Sequence, residues 1–122
     1  VFSETGSIVG ANTDGDGCCD ALEHHGASID GSDVVVLGAG GTARAVIAAL
    51  DLRGAAEIIV INRTAEHAHN AAQCSTRARG GELVDIEQAQ MVINKTAVGM
   101  LSDESLVPRQ YLRATHVVLD AV

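Results

Sequence analysis

The 122-residue sequence has no tryptophan, and Phe2 and Tyr111 are its only aromatic residues. Its core must therefore be aliphatic, filled by Val, Ile, Leu and Ala. Cations are scarce as well. Eight Lys and Arg face 16 Asp and Glu, a net charge of −8, which counts against nucleic acid, because a polyanion needs many neutralising Lys and Arg. The same imbalance counts against an anionic membrane surface. No run approaches the ~18 apolar residues of a membrane span, and nothing at the start reads as a signal peptide. The three cysteines, Cys18, Cys19 and Cys74, are odd in number, two are adjacent, and no C-x-x-C occurs. They read as free thiols of a reducing cytoplasm.

What is present is the composition of one globular domain, 47% hydrophobic and 20% charged. A chain of this length buries roughly two-thirds of its unfolded surface without needing a disulfide or a structural metal. It opens on Val1 rather than Met and stops at Val122 inside the apolar run His116-Val117-Val118-Leu119-Asp120-Ala121-Val122, the expected look of a piece of a longer protein.

Val34-Val35-Val36-Leu37 and Glu57-Ile58-Ile59-Val60-Ile61 are continuous apolar runs, suited to strands buried on both faces of a parallel sheet. Glu82-Leu83-Val84, Met91-Val92-Ile93-Asn94 and His116 to Leu119 read as three more strands, and Ser7-Ile8-Val9 between Gly6 and Gly10 as a short extended segment. Helical spacing runs from Asp14 to a cap near Gly26, from Thr42 to Leu52 before Gly54, and from Thr64 or Ala65 to about Arg79. Ser102 to Pro108 reads as a loop, with Pro108 opening a short helix. Strands alternating with helices specify βαβ units. Right-handed crossovers then give a doubly wound, mostly parallel α/β sheet of about five strands, ordered 3-2-1-4-5.

Gly38-Ala39-Gly40-Gly41-Thr42-Ala43 fits G-x-G-x-x-G/A directly between a buried strand and a helix, the context of a Rossmann-type dinucleotide site. Gly38 permits the tight turn, Gly40 lets a pyrophosphate approach the backbone, and Ala43 lets helix and strand pack closely. Free N–H groups and the positive helix end then face the phosphates. The bland alternative is that the glycines only turn the chain. At the end of the second strand, where an NAD site places Asp or Glu, stands Asn62-Arg63-Thr64. A carboxylate would repel a 2′-phosphate, whereas Arg63 can pair with one and Asn62 and Thr64 can donate to it. NADP is therefore expected over NAD, the alternative being a solvated Arg63 beside a loop. Arg44 either reaches a phosphate or is solvated.

Asn12-Thr13-Asp14-Gly15-Asp16-Gly17 with Glu23 has the spacing of an EF-hand loop. The segment before it is a poor helix, and the stretch from Asp14 to Glu23 itself reads as the first turns of one, so calcium is not expected. His24-His25 and His67-x-His69 lack the further ligands of a metal site and read as solvated, and no metal is expected. From the residues alone, Asp14 is best read as a helix N-cap.

Four motifs occur together in one order: Gly10-Ala11-Asn12-Thr13-Asp14-Gly15, then Gly38-Ala39-Gly40-Gly41-Thr42-Ala43-Arg44, then Asn62-Arg63-Thr64, then Asn94-Lys95-Thr96-Ala97-Val98-Gly99-Met100. In order and spacing they resemble shikimate dehydrogenase, from about Gly10 to the C-terminus. The resemblance implies NADP-dependent interconversion of 3-dehydroshikimate and shikimate in aromatic amino acid biosynthesis. It puts a catalytic and substrate-binding role on Asp14, as partner of a Lys that lies outside this chain. It puts cofactor contacts on Gly38, Ala39, Gly40, Gly41 and Thr42, on Asn62, Arg63 and Thr64, on Thr96 and Ala97 near the nicotinamide, and on Ala121.

This sequence departs from the family pattern in having His67 where a basic residue is frequent and Lys95 where a small Ala is usual. The resemblance also implies that residues 1–122 are the NADP-binding domain alone, without the N-terminal substrate domain that takes the small polyol or keto acid and without the C-terminal helix. A piece of this kind is expected to bind NADP and to catalyse little. Quinate, another NADP enzyme of the same architecture, and a noncatalytic module sensing NADP(H) remain the competing readings.

Overall fold

The computed structural model describes residues 2–3, 6–10, 15–24, 26–96 and 117–120, with side chains for 15–24 and 26–96. Strands β1 (Phe2–Ser3), β2 (Gly6–Gly10), β3 (Asp33–Leu37), β4 (Glu57–Ile61), β5 (Ala78–Gly80), β6 (Met91–Asn94) and β7 (Val117–Asp120) form one seven-stranded sheet, ordered β1-β2-β7-β6-β3-β4-β5. Helices α1 (Gly15–His24), α2 (Gly41–Leu52) and α3 (Ala65–Ala72) and a 3-10 helix (Leu83–Gln88) connect them. Every pairing is parallel except the β1–β2 hairpin. The expected order 3-2-1-4-5 is the run β5-β4-β3-β6-β7. β2, expected only as an extended segment, extends this parallel array beyond β7.

The apolar runs form central strands because both sheet faces are covered. The connections β2–α1–β3, β3–α2–β4 and β4–α3–β5 all step the same way along the sheet, so right-handed crossovers put their helices on one face. There Val34 and Val36 of β3, Ile58 and Val60 of β4 and Met91 and Ile93 of β6 pack with Leu22, Val46, Ile47, Leu50 and Ala71. The return from β5 to β6 steps backwards and places the 3-10 helix on the other face, where Ile86 and Ala89 meet Val35, Leu37, Ile59, Ile61 and Val92. Each fully buried Val, Leu or Ile of these two layers contributes roughly 1.5–3 kcal/mol.

Helix α1 ends in a Schellman turn, with Gly26 N–H donating to the Glu23 carbonyl at 3.0 Å and Ala27 N–H to that of Leu22 at 3.1 Å. Its first residue, Gly15, lies so close to α2 that a β-carbon there would strike the Ala45 carbonyl and come within 3.1 Å of Ala49 Cβ. At the far end of α2, the Arg53 guanidinium holds Asp20 at 2.9 Å and Asp16 at 3.7 Å and pairs with Glu23. One cation thus ties down three carboxylates of α1. Cys18 and Cys19 are buried beneath this contact while Cys74 is exposed, and burial pushes the Cys19 thiol up to about 11.

Two local expectations are corrected. Helix α3 stops at Ala72 rather than near Arg79. Buried Ser75 closes a turn there, its Oγ accepting the Arg77 N–H at 3.0 Å, the usual way a serine competes with the helix. The chain then reaches the sheet early, so the third strand of the array is Ala78–Gly80 and not residues 82–84. Those residues open the 3-10 helix instead, because Glu82 and Asp85 form a capping box across its first turn. Asp85 Oδ2 accepts the Glu82 N–H at 2.8 Å and Oδ1 accepts from Arg79 at 3.4 Å, while Arg79 also pairs with Glu57.

The Glu82 N–H, seconded by Arg79, holds the Asp85 carboxyl below its ordinary value. A carboxyl depressed by folding stabilises fully above its unfolded pKa near ~4 and loses that contribution as pH falls through the lower folded value. Asp85→Asn is therefore expected to lower unfolding stability by about 1 kcal/mol at pH 7. The gap from wild type should persist to about pH 5 and close below about pH 4 in urea titrations. A gap of constant size from pH 7 to pH 2 would contradict this capping role.

Candidate functional site

The parallel strands end on one straight row. Gly10 of β2 is in register with Asp120 of β7, Asp120 with Asn94 of β6, Asn94 with Leu37 of β3, and Leu37 with Ile61 of β4. The described candidate site residues follow directly in sequence from this row. Gly38, Ala39, Gly40, Gly41 and Thr42 lead from β3 into α2, Asn62, Arg63 and Thr64 lead from β4 into α3, and Thr96 follows β6. Asp14, Ala97 and Ala121 lie outside the described residues, as does the loop expected over Ser102 to Pro108.

The centre of the row is where the winding of the sheet reverses, with β4 on one side of β3 and β6 on the other. Ligands of open α/β sheets bind in that crevice, at the carboxyl ends of the strands. Gly38 sits in its floor, buried and with φ +113. A β-carbon there would meet the Lys95 carbonyl oxygen at 2.9 Å. The Gly38 N–H donates to Ile61 O and the Lys95 N–H to Leu37 O, both at 2.8 Å, so the exits of β4, β3 and β6 are laced together.

Gly40 and Gly41 differ in kind. Both are exposed, and a β-carbon on either would have open space around it. Gly40 is the N-cap of α2, with no side-chain cap and no acidic residue in the first turn. Helix hydrogen bonding begins with Arg44 N–H to Gly40 O at 3.0 Å, so the N–H groups of Gly41, Thr42 and Ala43 have no intrahelical acceptor. Helices α1 and α3 carry Asp16 and Glu66 in their first turns, whereas the first turn of α2 carries no acidic residue against its positive end. An anionic group fits here, in space that a side chain at residues 40 or 41 would fill.

One strand away, Asn62 is half-buried and its Nδ2 donates to Thr64 O at 3.2 Å, bracing the turn, while Arg63 and Thr64 are exposed. Thr64 is the N-cap of α3 without a side-chain cap bond, and the turn that leaves β4, Asn62-Arg63-Thr64, contains no carboxylate. The row also contains a residue to which the sequence reading gave no role. Asn94 is 2% exposed, and its side chain holds Thr96. Its signal in sequence is an amide residue closing an apolar run two positions before a threonine.

The described part of the calcium-like spacing lies in a helix, since Asp16, Gly17 and Glu23 are all in α1 and Glu23 is bound to Arg53, while Asn12 and Asp14 lie outside the described residues. Among the described residues there is no cluster of three metal-ligating side chains. Nor, among them, is any helix long and apolar enough to cross a membrane.

Sheet order, switch point and glycine turn define a Rossmann-like, doubly wound α/β domain. The sequence pattern of the family described as Shikimate / quinate 5-dehydrogenase matches residues 20–116. A shikimate dehydrogenase (NADP(+)) of Pyrococcus abyssi is 40% identical over 126 residues, covering 100% of this chain and 46% of that protein. The shikimate dehydrogenase of Aquifex aeolicus superposes with a TM-score of 0.74 at 34% identity, over 88% of this chain and 41% of that one. The Thermus thermophilus shikimate 5-dehydrogenase, solved in complex with NADP(H) and shikimate, gives 0.73 at 33% identity over 88% and 40%. The chain belongs to the shikimate/quinate dehydrogenase family, and it spans about half the length of the curated relatives it matches.

The two glycine environments separate stability from binding. Gly38→Ala is expected to destabilise the fold by about 2 kcal/mol or more, since φ is positive and backbone lies against the added carbon. Gly40→Ala, at φ −78 in open space, is expected to leave the urea midpoint unchanged or slightly raised. Equal destabilisation by both substitutions would refute this geometry.

Proposed function

We propose that this chain is the NADP-binding half of an enzyme that interconverts 3-dehydroshikimate and shikimate, working in the cytoplasm. The observation that carries the reading is the single row of strand ends, which sets the glycine turn, the Asn62-Arg63-Thr64 turn and Thr96 along one edge. The residues suit the cofactor. The bare N-terminus of α2 with Gly40 and Gly41 takes the diphosphate. Arg63, with Asn62 and Thr64, takes the 2′-phosphate that distinguishes NADP, because a guanidinium binds phosphate through paired charge-assisted hydrogen bonds.

The bound cofactor supplies or accepts the hydride at the carbon that is alternately carbonyl and hydroxyl. Negative charge develops on the oxygen of that carbon as the carbonyl is reduced. Asp14 follows β2, whose end Gly10 lies in the same row. We assign to it a hold on the substrate hydroxyls and, with a lysine supplied by the substrate domain, the movement of the accompanying proton. The family description also includes quinate. The two polyols are told apart by residues of the substrate domain, the half of the relatives that this chain does not span.

Two outcomes test the reading in the full-length protein. Arg63→Ala is expected to weaken NADPH binding by ~1.5–3 kcal/mol while leaving NADH affinity unchanged in fluorescence titrations. Equal losses for both would remove the 2′-phosphate assignment. Asp14→Asn is expected to lower kcat by about a hundredfold or more with cofactor Kd unchanged. Retained turnover would remove Asp14 from the chemistry, whereas a full-length protein that binds NADPH without turning over either polyol would favour a noncatalytic NADP(H)-sensing module.

A further inference from the structure

We propose that Asn94 is a positioning residue that makes Thr96 a hydrogen-bond acceptor for the nicotinamide-riboside half of the cofactor; this rests on the cofactor reading above. Asn94 closes β6 beside the glycine turn, and with Ser75 it is one of two buried polar residues among those described. A side-chain amide in such a place is kept only with partners. Its Oδ1 lies 3.0 Å from Thr96 N and 2.6 Å from Thr96 Oγ1.

The chemistry of the pair fixes its polarity. A main-chain N–H only donates, so the atom it faces is the amide oxygen, and a hydroxyl facing that same oxygen donates to it too. The Thr96 proton is thereby directed at Asn94, so toward a ligand the hydroxyl oxygen can act only as an acceptor. The group it recognises is an N–H or O–H donor, such as a carboxamide or a ribose hydroxyl, and not a phosphate oxygen.

Topology says which half of the cofactor this is. Arg63 follows β4 on one side of β3, and Thr96 follows β6 on the other, each neighbouring strand about 4.8 Å away. A dinucleotide with its diphosphate at the turn after β3 and its 2′-phosphate at Arg63 extends its remaining half over β6. The two walls of the crevice are then opposite in character. Backbone N–H groups at α2 select phosphate, and the Asn94–Thr96 pair selects a donor.

The test is made in the full-length protein with two probes, NADPH and 2′,5′-ADP, the latter lacking the nicotinamide riboside. Asn94→Ala and Thr96→Val are each expected to raise the NADPH Kd about tenfold, the scale of one hydrogen bond, and to leave that of 2′,5′-ADP within about twofold. Thr96→Ser is expected to match wild type on both. The double variant is expected to bind no more weakly than Thr96→Val, because the two side chains act as one unit. Thr96→Val replaces a half-buried side chain by one of equal size, so it carries the test even where Asn94→Ala fails to fold.

Within that result, the NADPH analogue bearing 3-acetylpyridine separates the two donors. Weaker binding than NADPH assigns the contact to the carboxamide, and equal binding assigns it to a ribose hydroxyl. Thr96→Val binding NADPH as wild type does, or losing both probes alike, overturns the proposal alone. Wild type binding neither probe overturns the cofactor reading and this proposal with it.

Discussion

The close approach of two chain exits governs this molecule. As β3 and β6 leave the sheet side by side, the Lys95 carbonyl lies where a side chain at residue 38 would stand. Only a glycine in the left-handed region satisfies that contact while its N–H still reaches Ile61 O. With the exits locked, β4, β3 and β6 end in register, the segments following them open on one edge, and α2 begins with its N-terminus aimed over the crevice. A bulkier residue at position 38 would disturb the turn, the start of α2 and the path of β6 together.

Charge is distributed to suit that edge. The three carboxylates of α1 that face α2 are gathered at its far end by Arg53. At the near end the first turn of α2 has no acidic side chain, and Gly40 offers none to cap it. Among the described residues of this acidic protein of net charge −8, the start of α2 thus offers an anion backbone N–H groups and the positive end of the helix dipole. On the proposed reading, specificity is left to side chains on either flank, Arg63 beyond β4 and the Asn94–Thr96 pair beyond β6.

Much of this was legible in the residues. The runs of β3, β4 and β6 declare themselves because a strand covered on both faces is apolar throughout, and the glycine turn because it falls between such a run and an alanine-rich helix. The third strand was misplaced for the converse reason. Ala78-Arg79-Gly80 lies at the sheet edge with its arginine exposed and has no pattern to betray it, whereas Glu82-Leu83-Val84 has a strand-like look that a capping box overrides. The premature end of α3 depends on Ser75 being buried in a turn, a tertiary fact. In the candidate site, motif position separates the turn at Gly38 from the open approach at Gly40, but the Lys95 carbonyl lying against residue 38 is a tertiary contact that no local pattern encodes. Asn94 went unassigned because its partner is two residues along a turn whose shape the strand pattern does not encode.

Backbone amide chemical shifts of the 15N-labelled protein, recorded as NADPH is added, test the anion site most directly. The largest changes are expected at Gly40, Gly41 and Thr42, with Arg63 following for NADPH but not for NADH. Changes centred away from the carboxyl edge of the sheet, or none at millimolar cofactor, would contradict the assignment.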